Sequence, residues 1–465
     1  MRRIALLALL AVLPGALTSR PAAAAPRRYR PAALPTRLPS IWIRDPERVP
    51  STSRAERWQA QPASAHAILT PRPAPAAPAA MPVPADAARG FPLDLLFSRL
   101  ADGQRAAHYA LDGHVHTTAS PDARLRLGDV VREAAAAGLD AVVITDHCSI
   151  AAAPAIAAYD RARPAGAPLL VLGEEAGTRG AHLGLWNVAR GARADEGGLP
   201  AMATALARVD AQSPGALCVL NHPTWTVAGA ALFHPAAFDP QRPGPKFDAL
   251  EVCNGRRLLR PQTRALIGAW EAMLAQGLRP AIVSGSDAHL RGDGLGRLRT
   301  VVIAPALEAG ALVEAARLGR TYVTDDARVV FSVAGHGPGE LIDGRPGARL
   351  DPAAHGPWHV ALRGLGQRGG EVRLYAGRAL IATLPTTAGV PFSLALDYDP
   401  RTRPAAERDR AGYLRVEIVR PAEHGAEEVG LITAPVYFEL GTGSSWAARP
   451  RAGARLAALA QAPAR

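Results

Sequence analysis

Between about Phe91 and Asp326, short apolar runs alternate with Ala- and Leu-rich stretches of helical spacing. The runs predict strands at Tyr109 to His116, Asp140 to Thr145, Pro168 to Leu172, His182 to Val188, Ala216 to Leu220, Ala249 to Val252, Pro280 to Ser284 and Val301 to Ala304. Several are continuously apolar instead of alternating, which fits a parallel sheet covered by helices. Leu127, Val130, Val131, Ala134 and Ala135 share one helical face, with Gly138 as the C-cap. Two more helices are expected near Thr263 to Gln276, ending at Gly277, and Leu307 to Leu318, ending at Gly319.

Beyond about Val329 the helical spacing fades. Val329 to Val333, Trp358 to Leu362, Glu371 to Tyr375, Tyr413 to Val419 and Val436 to Leu440 read as strands separated by Gly, Asp and Pro clusters. They predict a small antiparallel, sandwich-like domain over 329–441, followed by an Ala- and Arg-rich tail, 442–465. Ahead of the α/β part, assigned to 89–328, residues 26–88 form a Pro/Ala-rich linker or extension. Its stretch Pro71 to Pro84 cannot bury enough apolar area to offset the ordering of its backbone. Residues 1–25 have the form of a signal peptide: Arg2 and Arg3, the apolar run Ile4 to Val12, and an Ala-x-Ala step within Ala22 to Ala25. The expectation is an exported protein, periplasmic or secreted, with no membrane span in its mature form.

Composition narrows the function. The chain has 465 residues and a formal charge of +12, but its basic residues are scattered or concentrated at the two ends. No basic helix with interleaved aromatics and no zinc-finger spacing appears, so nucleic acid is not an expected partner. Three cysteines, Cys148, Cys218 and Cys253, do not make a disulfide scaffold and read as small buried residues.

The candidate chemistry lies where strands end. The first closes in Asp112-Gly113-His114-Val115-His116, with two His at i and i+2 on one strand face. Thr145-Asp146-His147, Gly173-Glu174-Glu175, Asn221-His222-Pro223 and Ser286-Asp287-Ala288-His289 close later strands, and His182 opens one. The loop Thr117 to Asp122 follows the first strand directly. On parallel strands these ends meet on one rim, where α/β barrels assemble sites from several strands. A buried set of imidazoles and carboxylates with no Lys among them is most simply satisfied by cations. Ser120, Ser284 and Ser286 lack a Gly-x-Ser-x-Gly elbow and read as loop or packing residues.

In this order, His114-Val115-His116, Ser120-x-Asp122, Thr145-Asp146-His147, Gly173-x-Glu175, His182, Asn221-His222-Pro223 and Ser286-Asp287-x-His289 resemble the PHP (polymerase and histidinol phosphatase) superfamily. The Gly-Glu-Glu step, His182 and Glu251-Val252-Cys253-Asn254-Gly255 look most like its CehA/McbA branch, named for carbaryl hydrolase. The resemblance covers roughly Leu111 to Tyr322 and implies a distorted (β/α)7 barrel with two or three divalent metal ions. It implies that His114, His116, Glu175 and Asp287 hold the first ion. Glu175 would bridge to a second ion on His182 and His222, and Asp122, His147 and His289 would hold a third. The sequence departs from the family pattern at Gly113, where Leu is frequent, and at Ala123, where Gly is usual. Glu174 and Glu175 could exchange roles, since neighbours on a strand face opposite ways.

The His-rich set favours zinc, with manganese or iron also compatible. The expected chemistry is attack by a metal-activated water on a small-molecule phosphoester. Glu175, Asp287, His289 and Asp122 are the catalytic candidates, and His289 or Asp122 would be the general acid where the third ion is absent. Glu251 and Asn254 are candidates to orient ligands or contact substrate, Arg256 and Arg291 to bind an anion, and Trp225 to wall the pocket. Two alternatives stand beside this: hydrolysis of an amide, carbamate or carboxylic ester, and an exported binding protein with a structural metal site.

Overall fold

The computed structural model describes residues 81–178, 181–192, 202–223, 247–255, 261–342, 357–402, 412–421, 427–440 and 446. The signal-like segment, nearly all of the linker, Trp225, Arg256 and the tail apart from residue 446 lie outside the described residues.

Two 3-10 turns, Ala85–Arg89 and Leu93–Leu95, precede the first strands, β1 (Phe97–Arg99) and β2 (Arg105–Val115). Then follow α1 (Leu127–Ala137), β3 (Ala141–Ile144), α2 (Ala153–Ala162), β4 (Leu169–Gly177), β5 (His182–Trp186), α3 (Met202–Gln212), β6 (Leu217–Leu220) and β7 (Ala249–Asn254). The α/β part ends with α4 (Pro261–Leu274), β8 (Ala281–Gly285), β9 (Arg299–Ala304), α5 (Ala309–Arg317) and β10 (Thr321–Thr324). All eight strands expected in this part are present, and Gly138 caps α1 in the left-handed conformation at φ 69°.

β2, β3 and β4 pair in parallel, as do β6, β7 and β8. β5 runs antiparallel to both β4 and β6, which corrects the all-parallel expectation. Only residues 178–181 separate β4 from β5. A parallel crossover needs a dozen residues or more, so this short connection enforces a hairpin. The reversal has a consequence for chemistry: His182, at the start of β5, pairs with Gly177 at the end of β4. It therefore reaches the rim at which its parallel neighbours finish. β8 in turn approaches β2, with Asp287 N–H donating to His114 O at 2.8 Å and His116 N–H to Ala288 O at 3.0 Å.

The C-terminal strands are β11 (Arg328–Val333), β12 (Trp358–Leu365), β13 (Gly370–Ala376), β14 (Ala379–Thr386), β15 (Phe392–Tyr398), β16 (Gly412–Pro421), β17 (Glu427–Thr433) and β18 (Val436–Phe438). They do not form a free-standing unit. β17 pairs with β10 and β10 with β9, so one sheet runs from β14 through β13, β16, β17, β10 and β9 into β2. The sandwich-like element is the three-stranded sheet β11–β12–β15. Its Phe331 and Leu362 share a core with Leu374 and Val416 of the long sheet.

Two buried charge contacts reinforce the junctions. Arg415 on β16 pairs with Glu271 on α4 and, at 2.6 Å, with Glu417, which also accepts from Arg264 of α4 at 2.8 Å. Arg328, fully buried at the start of β11, pairs with Asp86 of the first 3-10 turn. No helix among the described residues is long and apolar enough to cross a membrane.

Removing one partner of a buried ion pair strands the other charge. Arg328→Ala is expected to cost about 3–5 kcal/mol and to lower the thermal midpoint in calorimetry. A midpoint within a degree or two of the parent would show that Arg89 and Arg299 neutralise Asp86 without it.

Candidate metal centre

The site is built at the ends of β2, β3, β4, β6 and β8 and the start of β5. Its walls approach closely. A side chain at Gly285 would collide with His114 Cβ, so glycine there lets β8 lie against the strand that carries the two His. At Gly113, where the family pattern often has Leu, a Cβ would run into the Trp186 ring and lie 2.9 Å from Ser284 O. Trp186 fills the space a leucine would need. His222 and Asp287 adopt positive φ, 24° and 53°, an uncommon conformation for non-glycine residues that concentrates at functional sites.

Glu175 is the hub. Its Oε1 lies 3.2 Å from His114 Nε2, 3.2 Å from His182 Nδ1 and 3.0 Å from His222 Nε2. Its Oε2 lies 3.5 Å from His116 Nε2 and 3.0 Å from His147 Nδ1. One carboxylate thus divides five imidazoles between its two oxygens. Asp287 Oδ1 sits 3.3 Å from His114 Nε2 and 3.2 Å from His116 Nε2, and His289 Nδ1 lies 3.6 Å from it. Asp122 Oδ2 spans the outer edge, 3.5 Å from His147 Nε2 and 3.4 Å from His289 Nε2. All nine residues expected as ligands therefore converge. Four overlapping sets have ligand atoms within 4.8 Å of one another: His114/His116/Glu175, His147/Glu175/His182, His114/His222/Asp287 and His116/His147/His289. The third set groups His222 with the first-ion residues, a sharing the expected partition did not include.

Surrounding groups set the ring orientations. Glu251 contacts His114 Nδ1 at 3.1 Å and accepts from His222 N–H at 2.8 Å and Asn254 Nδ2 at 2.9 Å. With Nδ1–H directed to Glu251, His114 presents Nε2 to the cluster. Ser120, read from sequence as a loop or packing residue, donates its hydroxyl to Asp146 Oδ1 at 2.8 Å. It accepts from His147 N–H at 2.9 Å and meets His116 Nδ1 at 3.0 Å. Asp112 accepts from the N–H groups of His114, Ser286 and Gly296 and so ties β2 to the Asp287 loop. Sequence reasoning singled out neither Asp112 nor Asp146 alone; their position immediately beside motif His residues was the available signal.

The remaining candidates separate cleanly. Glu174 Oε2 accepts from Ala192 N–H at 2.6 Å, on the other side of the strand from Glu175. Arg291 is well exposed, with Nε 3.7 Å from Asp129 Oδ1 on α1, and shows no contact to the cluster among the described residues. Cys218 and Cys253 are buried, whereas Cys148 is half-buried.

Electrostatics mark the cluster as starved of positive charge. Burial alone would raise the Glu175 carboxyl, but the imidazoles of His182, His114 and His147 hold it well below the usual carboxylate range. Burial opposes protonation of His147, yet Asp122 and Glu175 push it up to about 10. His114 is likewise raised against burial by Glu175, Asp287 and Glu251. Burial pushes His116 down to about 3. The two rings diverge because three carboxylates, Glu175, Asp287 and Glu251, act on His114, whereas burial dominates at His116, whose Nε2 lies 3.1 Å from His114 Nε2.

The donor set fits divalent cations. Seven buried or half-buried imidazole and carboxylate groups surround Glu175, and Glu175 Oε2 and His182 Nδ1 are buried with no hydrogen bond. Such atoms are costly unless something else satisfies them. His-rich mixed sets suit zinc, manganese and iron. Exposure is graded: the Glu175 side chain is 1% exposed, His182 33% and Asp122 50%, so the cluster opens to solvent on one side.

The PHP domain model matches residues 112–204, a stretch that contains His114, His116, Asp122, His147, Glu175 and His182. No curated protein matches the chain significantly. Among solved structures, the chain is similar to a two-domain protein from Bacteroides vulgatus described as containing a predicted PHP-like metal-dependent phosphoesterase. Identity is 16% and the TM-score 0.40, covering 71% of this chain and 96% of that one. It is also similar to a candidate metal-dependent phosphoesterase from Bifidobacterium adolescentis, at 19% identity and TM-score 0.26, covering 38% and 87%. At these scores neither likeness carries the functional argument, which rests on the cluster.

Two outcomes follow from the geometry. Because raised His147 and His114 hold protons at pH 7 in the cation-free protein, metal must displace them, and affinity should rise with pH. Zinc titration calorimetry in two buffers of different ionisation enthalpy should give different heats at pH 7; equal heats would mean that no proton is released. Glu251→Gln should weaken zinc binding about 10–100-fold in competition with a chromophoric chelator. Unchanged affinity would show that His114 is oriented by other contacts.

Proposed function

We propose that the protein is a metal-dependent hydrolase that acts on small phosphoesters. The observation that carries this is the Glu175 hub: a buried carboxylate shared by five imidazoles, open to solvent on the Asp122 side. The PHP match over residues 112–204 supports the same reading. We read β2 to β8 as a closed, distorted (β/α)7 barrel of the CehA/McbA kind, and residues 1–25 as an export signal.

His114, His116, Glu175 and Asp287 would hold one cation, and Glu175 with His182 and His222 a second. Asp122, His147 and His289 would hold a third. Zinc is favoured, with manganese or iron as alternatives. Bound there, the cations would supply hydroxide near neutral pH and a Lewis-acid contact for a substrate oxygen. The protein's own part is orientation and proton handling. Glu251 and Ser120 fix the rings of His114 and His116, which keeps the ligand atoms preorganised. At the open edge, Asp122 Oδ2 and His289 Nε2 lie 3.4 Å apart, positioned to pass a proton to a departing alkoxide where the third cation is absent.

Glu175→Gln keeps the shape of the hub and removes its charge. It should lower metal content and cut turnover by about two orders of magnitude or more, read by elemental analysis and by assays on phosphomonoesters, phosphodiesters, carboxylic esters and carbamates. Full turnover in this variant would overturn the hub assignment. Activity confined to carbamates or carboxylic esters would keep the metal centre and replace the substrate class. Stoichiometric metal with no turnover on any of them would favour a structural metal site.

A further inference from the structure

A cavity of about 380 Å³ lies at the end of β2 opposite the metal cluster. It borders Arg105, the first residue of that strand, whereas His114 and His116 stand at its far end. Ten steps along a strand span roughly 33 Å, so the cavity is separate from the metal cluster. Its size falls within the ordinary range for small-molecule sites.

Its lining combines apolar and cationic groups. Leu100 and Phe331 are buried surfaces of the cavity, and Arg99, Arg105 and Arg363 stand around it. Arg363 pairs with Asp94 at 2.6 Å. Arg99 donates only to Gly103 O, and Arg105 stacks over the Phe97 ring at 4.0 Å. Among the described residues neither has a carboxylate partner, so the cavity carries excess positive charge.

A buried relay aims one further donor. The buried Tyr322 hydroxyl lies 3.4 Å from His108 Nδ1. With the tyrosine donating there, His108 carries its proton on Nε2 and gives it to Ser98 Oγ at 2.6 Å. The Ser98 hydroxyl proton is then free to point into the cavity. The Ser98–His108 pair is not a nucleophile and base: burial holds His108 down to about 3, far below a useful general base. The arrangement orients a hydroxyl.

We propose that this cavity is a second, non-catalytic binding site for a small organic anion. A carboxylate or phosphate head would meet Arg99, Arg105, Arg363 and the Ser98 hydroxyl, and an apolar body would rest against Leu100 and Phe331. Planar guanidinium groups suit either oxyanion.

Benzoate, the non-hydrolysable phenylphosphonate and the neutral benzyl alcohol, titrated into the metal-loaded full-length protein by calorimetry, test this. Saturable binding of either anion, with benzyl alcohol at least about tenfold weaker, is expected, and the tighter anion identifies the head group. The double variant Arg99→Gln/Arg105→Gln should weaken that binding at least about tenfold and leave metal content and hydrolysis unchanged. Arg363→Gln gives an independent second reading in the same direction. The Glu175→Gln variant should retain anion binding, which separates this site from the metal centre. Equal binding in the arginine variants, equal binding of benzyl alcohol, or anion binding lost only with Glu175→Gln would overturn the proposal.

Discussion

The centre depends on a charge problem. Glu175 is ionised, almost fully buried and surrounded by five imidazoles, with no Lys or Arg among its described contacts. A carboxylate in that position costs several kcal/mol unless positive charge sits against it. Protons can supply part of it, which is why His114, His147 and His222 are raised together. They do so poorly, because protonated rings repel one another across contacts such as the 5.7 Å His114–His222 separation. Divalent cations would supply the same charge more compactly, and the clustered imidazole and carboxylate groups fit them.

Holding nine ligand-type residues in one place places demands on the scaffold. β5 must reverse so that His182 arrives from its N-terminal end, and Gly285 must be bare so that β8 can rest on His114. His222 and Asp287 are held at positive φ, each at a cost of order 1–3 kcal/mol. The surrounding hydrogen bonds offset this by over-determining the geometry: Glu251 grips both His114 and the His222 backbone, and Asp112 grips both β2 and the loop that leads to Asp287. Strain and tight bonding thus occur at the same residues, as expected of a preorganised site.

Much of this was legible in the sequence, for a specific reason. Apolar strands that break into His, Asp or Glu at their ends signal both the strand and the rim, so the eight strands and the nine converging residues emerged together. What stayed hidden lacked such a signal. Strand direction is not written in hydrophobic pattern, and the β5 reversal rests on the short 178–181 connection. α2 was missed because Ile156 is its one described buried apolar side chain, which leaves no stripe to read. β14 opens on exposed Leu380 and Ile381 and contains Pro385, so its apolar residues do not mark the face that packs on the core. Ser120 and Asp146 act through hydrogen bonds between separate loops, a property of three dimensions that no spacing encodes.

The same reasoning clarifies the C-terminal strands. A free β9–β10 edge would leave a row of backbone donors and acceptors beside the sheet that seats His114, and such edges invite pairing with other chains. β17 covers it, with Tyr322 opposite Thr433 and Thr324 opposite Leu431. β16, β13 and β14 move the new edge three strands beyond β17, six strands from β2, where a slip of register no longer reaches β2. On the other flank, Arg415 and Arg264 join β16 to α4, the helix that leads into β8 and so to Asp287. Several described charged groups here are committed to ion pairs between elements, such as Arg420 with Asp325 and Asp326, and no second cation cluster occurs among the described residues. The region acts on the chemistry from a distance, by fixing the two strands whose ends supply His114, His116 and Asp287.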